Sequence, residues 1–150
     1  MLVVLAACAF SIGACNGGSG ELTKSEFRRE TNRICRASAA RIRALESPDP
    51  ADPEAISRAG RRIVAIQRRA LEELRDLKPP KESAEEITKW LALVDQTLDQ
   101  ATASVRAQEE GDTEAAVTAN GHGATLDARA DEIATRYGLS ACGAATPTTP

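Results

Sequence analysis

The sequence predicts an all-α fold: an up-down-up-down four-helix bundle that follows an N-terminal segment of signal and lipobox type. Three observations carry this expectation. Only four of the 150 residues are Phe, Trp or Tyr, so the core must be built from Ala, Leu, Ile and Val, side chains that suit closely packed helices. No segment alternates β-branched and polar residues, and Asn120-Gly121 lies in Ala-rich helical sequence rather than between strand-like runs. Between residues 23 and 142, apolar positions recur every three or four residues in four blocks, separated by short breaks rich in Pro, Gly and Asp.

Residues 1–14 are nearly all apolar or small. That length fits the apolar stretch of a signal peptide and falls short of the roughly 20 residues that a spanning helix needs. Ile12, Gly13 and Ala14 ahead of Cys15 resemble a bacterial lipobox, in which the cysteine thiol takes a diacylglyceryl group and the chain is cut just before it. Leu5, Ala6 and Ala7 ahead of Cys8 fit the same pattern. Cys15 is favoured because the polar, glycine-rich "NGGSGE" that follows it makes a flexible tether over residues 15–22, whereas Cys8 is followed by more apolar sequence. Cys8 stays as the alternative. No Lys or Arg precedes Lys24, so the basic start of a signal peptide is missing; a translation start upstream of Met1 would supply it and would lengthen the run before Cys8.

Thr23 and Glu26 are spaced as a capping box, and Leu22 and Phe27 as a hydrophobic staple, which start the first helix. Its stripe is Phe27, Thr31, Ile34, Ser38, Ile42 and Leu45. "SPDPADPE" breaks the pattern, with Asp52 as a cap and Pro53 in the first helical position of the second helix. That helix carries Ile56, Gly60, Ile63, Ile66, Ala70, Leu74 and Leu77 on one face. After "LKPPKESAEE", Ser83 and Glu86 are spaced as a second capping box. The third helix presents Ile87, Trp90, Leu91, Val94, Leu98, Ala101 and Val105. Gly111 and Asp112 end it and open the fourth, with Ala119, Leu126, Ala130, Ile133 and Tyr137; Gly138 is the expected stop. The tail over residues 143–150 is small and Pro/Thr-rich and is expected to be disordered.

The cysteines Cys8, Cys15, Cys35 and Cys142 have no metal-ligand spacing, so no metal site is expected. In an antiparallel bundle the fourth helix returns beside the first, which brings Cys142 toward Cys35. A Cys35–Cys142 disulfide follows, and it suits an oxidising, extracytoplasmic location. Closing a loop of about 100 residues stabilises by roughly 4–5 kcal/mol in chain-entropy terms. The geometry is demanding, because Cys35 lies about 18 Å along its helix from Thr23. Either the first helix overhangs the bundle or Leu139–Cys142 folds back along it.

"LTKSEFRRETNRIC", "LEELRDLKPP", "EEITKWLALVD" and "ATRYGLSACG" resemble a family of small secreted or lipid-anchored helical proteins of actinobacterial type. The likeness covers roughly residues 21–143 and is most specific at Ile34-Cys35, at Leu77 to Pro80, and from Tyr137 to Gly143. It implies a lipoprotein facing outward from the cell membrane, with a helical domain, and no activity that could be carried over to residues here.

Charge narrows the partners. From Lys24 to Lys81 fifteen Lys/Arg face nine Asp/Glu, while from Glu82 to Pro150 four face twelve. The split fits complementary faces that neutralise each other on folding, or a basic surface for an anionic partner. Arg58, Arg61, Arg62, Arg68 and Arg69 form a dense band on the second helix and are the candidate contact with anionic headgroups or an envelope polymer; pairing with Glu85, Glu86, Asp95 and Asp99 would use the same charges. Nucleic acid is not an expected partner, since the chain is net acidic and lacks interleaved aromatics.

His122 is the only histidine; no Cys, Ser or second His stands beside it, and its flanking glycines point to a mobile or closely packed turn. Asp95 with Asp99, and Asp127 with Asp131, are spaced one helical turn apart, as solvated flanking positions are. The bundle lacks the Glu-x-x-His pairs of di-metal proteins. No cofactor and no enzymatic role is expected. The expected function is that of a non-enzymatic envelope lipoprotein, a helical module that binds an envelope protein or polymer. The alternative is a carrier of a small apolar ligand, held where Gly60, Ala70, Ala101, Ala119 and Ala130 leave room between helices.

Overall fold

The computed structural model describes residues 20–143. The signal segment, both lipidation candidates Cys8 and Cys15, and the tail beyond Gly143 lie outside the described residues. Four α-helices make up the architecture: α1 Lys24–Arg43, α2 Pro53–Arg75, α3 Ala84–Glu109 and α4 Thr113–Tyr137. They pack in chain order, α1 on α2, α2 on α3, and most extensively α3 on α4, as short connections between antiparallel neighbours require.

The local signals for starting and stopping helices operate as read, with one exception. Thr23 accepts from the Glu26 amide at 3.3 Å, and Glu26 reaches back to the Thr23 amide at 3.0 Å, which completes the capping box. Asp52 accepts from the Ala55 amide at 3.0 Å ahead of Pro53, and Asp112 from the Ala115 amide at 2.9 Å. Gly111 and Gly138 take left-handed backbone at φ 74° and 81°, where a side chain would be strained. The exception is Ser83. A 3-10 turn over Lys81–Ser83 leads into α3, and it holds Ser83 at φ −116°, ψ −2° rather than in the extended backbone of a cap. Its side chain makes no capping bond, and Glu86 is drawn instead to Arg136 at 3.1 Å.

The core is concentrated at one end of the bundle. Phe27 and Ile34 of α1, Ala70 and Leu74 of α2, Ile87, Trp90 and Leu93 of α3, and Ala130, Ile133 and Tyr137 of α4 form one buried cluster. These positions are the start of α1 and α3 and the end of α2 and α4, which antiparallel packing brings together. Phe27 meets Tyr137 edge to face, with ring centroids 5.8 Å apart. Leu71, Leu93 and Ala134 are buried although the periodic stripes omit them, and Ile56 of the α2 stripe is 38 % exposed. Toward the other end the buried residues are small: Ser57, Ser104, Ala107, Ala116, Ala119 and Gly123.

The Cys35–Cys142 disulfide is present, with Cα atoms 5.2 Å apart. The geometric demand is met by folding back, with no overhang of α1. After Gly138 the chain reverses, Leu139 becomes fully buried, and residues 139–142 run back beside α1. Asn32 fastens this strap on both edges: its side-chain amide donates to the Gly138 carbonyl at 3.2 Å and its oxygen accepts from the Ala141 amide at 2.8 Å. The entering chain is tied to the same end, with the Leu22 amide donating to the Lys78 carbonyl at 3.0 Å and the Lys81 amide to Glu21.

Candidate functional site

The arginine band of α2 is largely engaged within the chain. Arg58 lies 3.1 Å from Glu54 and 3.3 Å from Asp52. Arg61 pairs with Glu109 of α3. Arg68 crosses to α3, reaching Asp99 at 2.7 Å, Asp95 at 3.6 Å and the Thr102 hydroxyl at 3.2 Å. Arg69 stands 3.8 Å from Glu73. Arg62 is exposed and has no ion pair among the described residues. Arg75 on Asp95 at 2.7 Å extends this α2–α3 seam, while Arg136 on Glu86 at 3.1 Å ties α4 to α3. Of the four acidic partners expected for the α2 arginines, Asp95 and Asp99 are used, while Glu86 pairs with Arg136 of α4 and Glu85 with no arginine among the described residues. These pairs are half exposed, so each contributes at most about 1 kcal/mol; their main effect is to neutralise the band.

The largest share of the positive charge left over lies on α1. Arg28, Arg29, Arg33, Arg36 and Arg43 are all exposed. At 100° per residue they cluster on the side away from buried Phe27, Thr31, Ile34 and Ser38. Glu30 meets Arg33 at 2.8 Å and Arg29 at 3.4 Å, and these contacts lower its pKa, the Arg33 hydrogen bond most of all. Arg28, Arg36 and Arg43 have no carboxylate partner among the described residues. The Arg28 guanidinium lies over Gly138, where a Cβ would come within 2.5 Å of it. The helical period of α1 carries the signal for this face, but arginine content alone does not separate α1 from α2, which hold six each.

The other sequence candidates separate. His122 is exposed in the middle of α4, so "NGHGA" is helix interior rather than the turn its glycines suggested. Those glycines differ in use: a Cβ at Gly123 would lie 3.4 Å from Gln100 of α3, while one at Gly121 would meet nothing within 4 Å. Gly60 is similarly tight, since a Cβ there would stand 2.8 Å from Val105 Cγ2. Gly60 and Gly123 thus serve close helix approach. Ala70, Ala119 and Ala130 are buried at helix contacts, and Ala101 is half-buried.

Asp95 and Asp99 face α2 arginines, whereas Asp127 and Asp131 are half-buried on α4. Burial pushes the Asp127 carboxyl above its usual range, and the charge of Asp131 adds to the shift. No group of three His, Cys, Asp or Glu side chains that could hold a metal ion occurs among the described residues. A shallow groove of about 330 Å³ opens at the end of the bundle away from the main core, lined in part by the exposed side chains of Ile56 and Val117 and by polar Ser57, Gln108 and Asn120. No helix of the described residues is long and apolar enough to cross a membrane.

The chain matches no protein family, no curated protein and no solved structure.

Proposed function

We propose that this chain is a non-enzymatic lipoprotein of the cell envelope. Cys15, with Cys8 as the alternative, carries the lipid on the outward face of the membrane, and the helical domain binds an envelope protein or polymer. The observation that carries the reading is the Cys35–Cys142 pairing. A disulfide across the whole domain favours an oxidising compartment. It also accounts for two of the four cysteines; of the other two, Cys15 takes the lipid and Cys8 is lost with the signal segment. The lipobox-like Ile12-Gly13-Ala14 and the polar run after Cys15 support the anchor.

Intact mass of the natively expressed protein, before and after reduction, tests this. The expected species begins at Cys15, carries added acyl mass, and gains two hydrogens on reduction. An unmodified chain with free thiols would overturn the proposal. Crosslinking in intact cells then addresses the partner, and failure to capture any specific envelope component would argue against an interaction role.

A further inference from the structure

We propose that the outer face of α1 is a docking surface for an anionic lipid bilayer. This deepens the envelope reading and rests on it for where the chain is found. Lys24–Arg43 contains seven Lys/Arg and two Asp/Glu, the most basic of the four helices. Both acidic residues are occupied locally, Glu26 by the Thr23 cap and Glu30 by Arg33 and Arg29. Arg28, Arg29, Arg33, Arg36 and Arg43 therefore leave a strong net positive charge along about 22 Å of one helix side. On α2 the opposite holds, because acidic groups of the α1–α2 connection, α2 and α3 neutralise most of the arginines.

Three features favour a bilayer over a soluble polyanion. The face is the convex outside of a single helix, with no walls to hold a linear polymer, whereas a plane of headgroups meets it along its length. Arginine stems can lie along apolar surface while their guanidinium groups pair with lipid phosphates. The stripe also begins at Arg28, about one turn from the point where the chain enters α1, and Lys24 stands nine residues after Cys15. The net acidic helices α3 and α4 would be held off by the same field that attracts α1.

The test compares partition onto vesicles of phosphatidylcholine alone with partition onto phosphatidylcholine mixed with phosphatidylglycerol. It uses the full chain carrying Cys8→Ser and Cys15→Ser, with the remaining disulfide confirmed by mass. No acyl group is then present, so the ratio between the two vesicles stands or falls independently of the lipid anchor. Stronger partition onto the anionic vesicles is expected, weakening steeply with salt. Combining Arg29→Gln, Arg36→Gln and Arg43→Gln, which keeps helix propensity, should lower that ratio on the order of 100-fold with helicity unchanged by circular dichroism. The matching α2 variant, Arg61→Gln with Arg68→Gln and Arg69→Gln, should leave the ratio within a few fold. A ratio near one, no effect of the α1 variant, or an equal effect of the α2 variant would overturn the proposal. So would tighter binding per phosphate to linear polyphosphate, which would identify a soluble polymer as the ligand.

Discussion

Asp127 carries the least favourable charge placement seen among the carboxylates. It is half-buried on α4 with Asp131 one turn away, so both desolvation and repulsion disfavour its ionised form. A carboxyl raised in the folded state above its ordinary 3.8 destabilises once the pH exceeds the folded value, and has no effect below the unfolded one. Asp127→Asn is therefore expected to raise the melting temperature slightly at neutral pH, with the gain vanishing below about pH 3.8. Thermal melts across pH check this; a gain that persists in strong acid would mean that shape, and not charge, was responsible. Glu26, Glu30 and Asp52 have the opposite sign. The Thr23 hydroxyl holds Glu26 down, the Arg33 hydrogen bond Glu30, and the Ala55 amide Asp52. Their contributions are present at neutral pH and fade as the pH falls through those lowered values.

At the scale of the helices, two glycines separate packing from propensity. An alanine at Gly121 gains about 1 kcal/mol of helix propensity, since nothing lies within 4 Å of the new Cβ. At Gly60 the same change places a Cβ 2.8 Å from Val105 Cγ2. Val105 is β-branched and held to one rotamer in α3, so it cannot swing aside. Overpacking costs about 1–3 kcal/mol and outweighs the propensity gain. Gly121→Ala should thus stabilise and Gly60→Ala destabilise by about 1 kcal/mol. Adding Val105→Ala should soften the Gly60→Ala penalty. Denaturant melts of the native chain, Gly121→Ala, Gly60→Ala, Val105→Ala and the double variant at 60 and 105 measure all of this, and independent, additive effects at residues 60 and 105 would show that α2 and α3 do not meet there as described.

For the whole molecule, the strap is what joins the last helix to the first. α1 packs on α2 less extensively than α2 on α3 or α3 on α4, and it meets α4 at one end, by Phe27 and Lys24 on Tyr137 and by residues 139–142 held against α1. The disulfide spans 107 residues of sequence, so replacing Cys35 and Cys142 by serine should cost about 4–5 kcal/mol on chain-entropy grounds. Urea unfolding gives the loss, and hydrogen exchange at the Ala141 amide, which Asn32 now protects, reports whether the strap leaves α1. A cost below about 1 kcal/mol with Ala141 still protected would mean that Leu139 burial and Asn32 hold the strap by themselves.

Residue order alone determined the helix count, the breaks, most of the caps and the partnership of Cys35 with Cys142. These depend on spacing within a few residues, or on a topology that short connections leave little freedom to vary. Tertiary structure decided the rest. It passed over the Ser83 cap because a 3-10 turn claimed that backbone. It drew residues 139–142 back along α1, where burying Leu139 and satisfying Asn32 act together over a separation no local pattern encodes. It also determined which charges remain available. Sequence counts arginines equally on α1 and α2, but only packing places Glu109, Asp95 and Asp99 against α2 and leaves the outer side of α1 facing solvent, because neutralisation depends on which faces meet across the bundle.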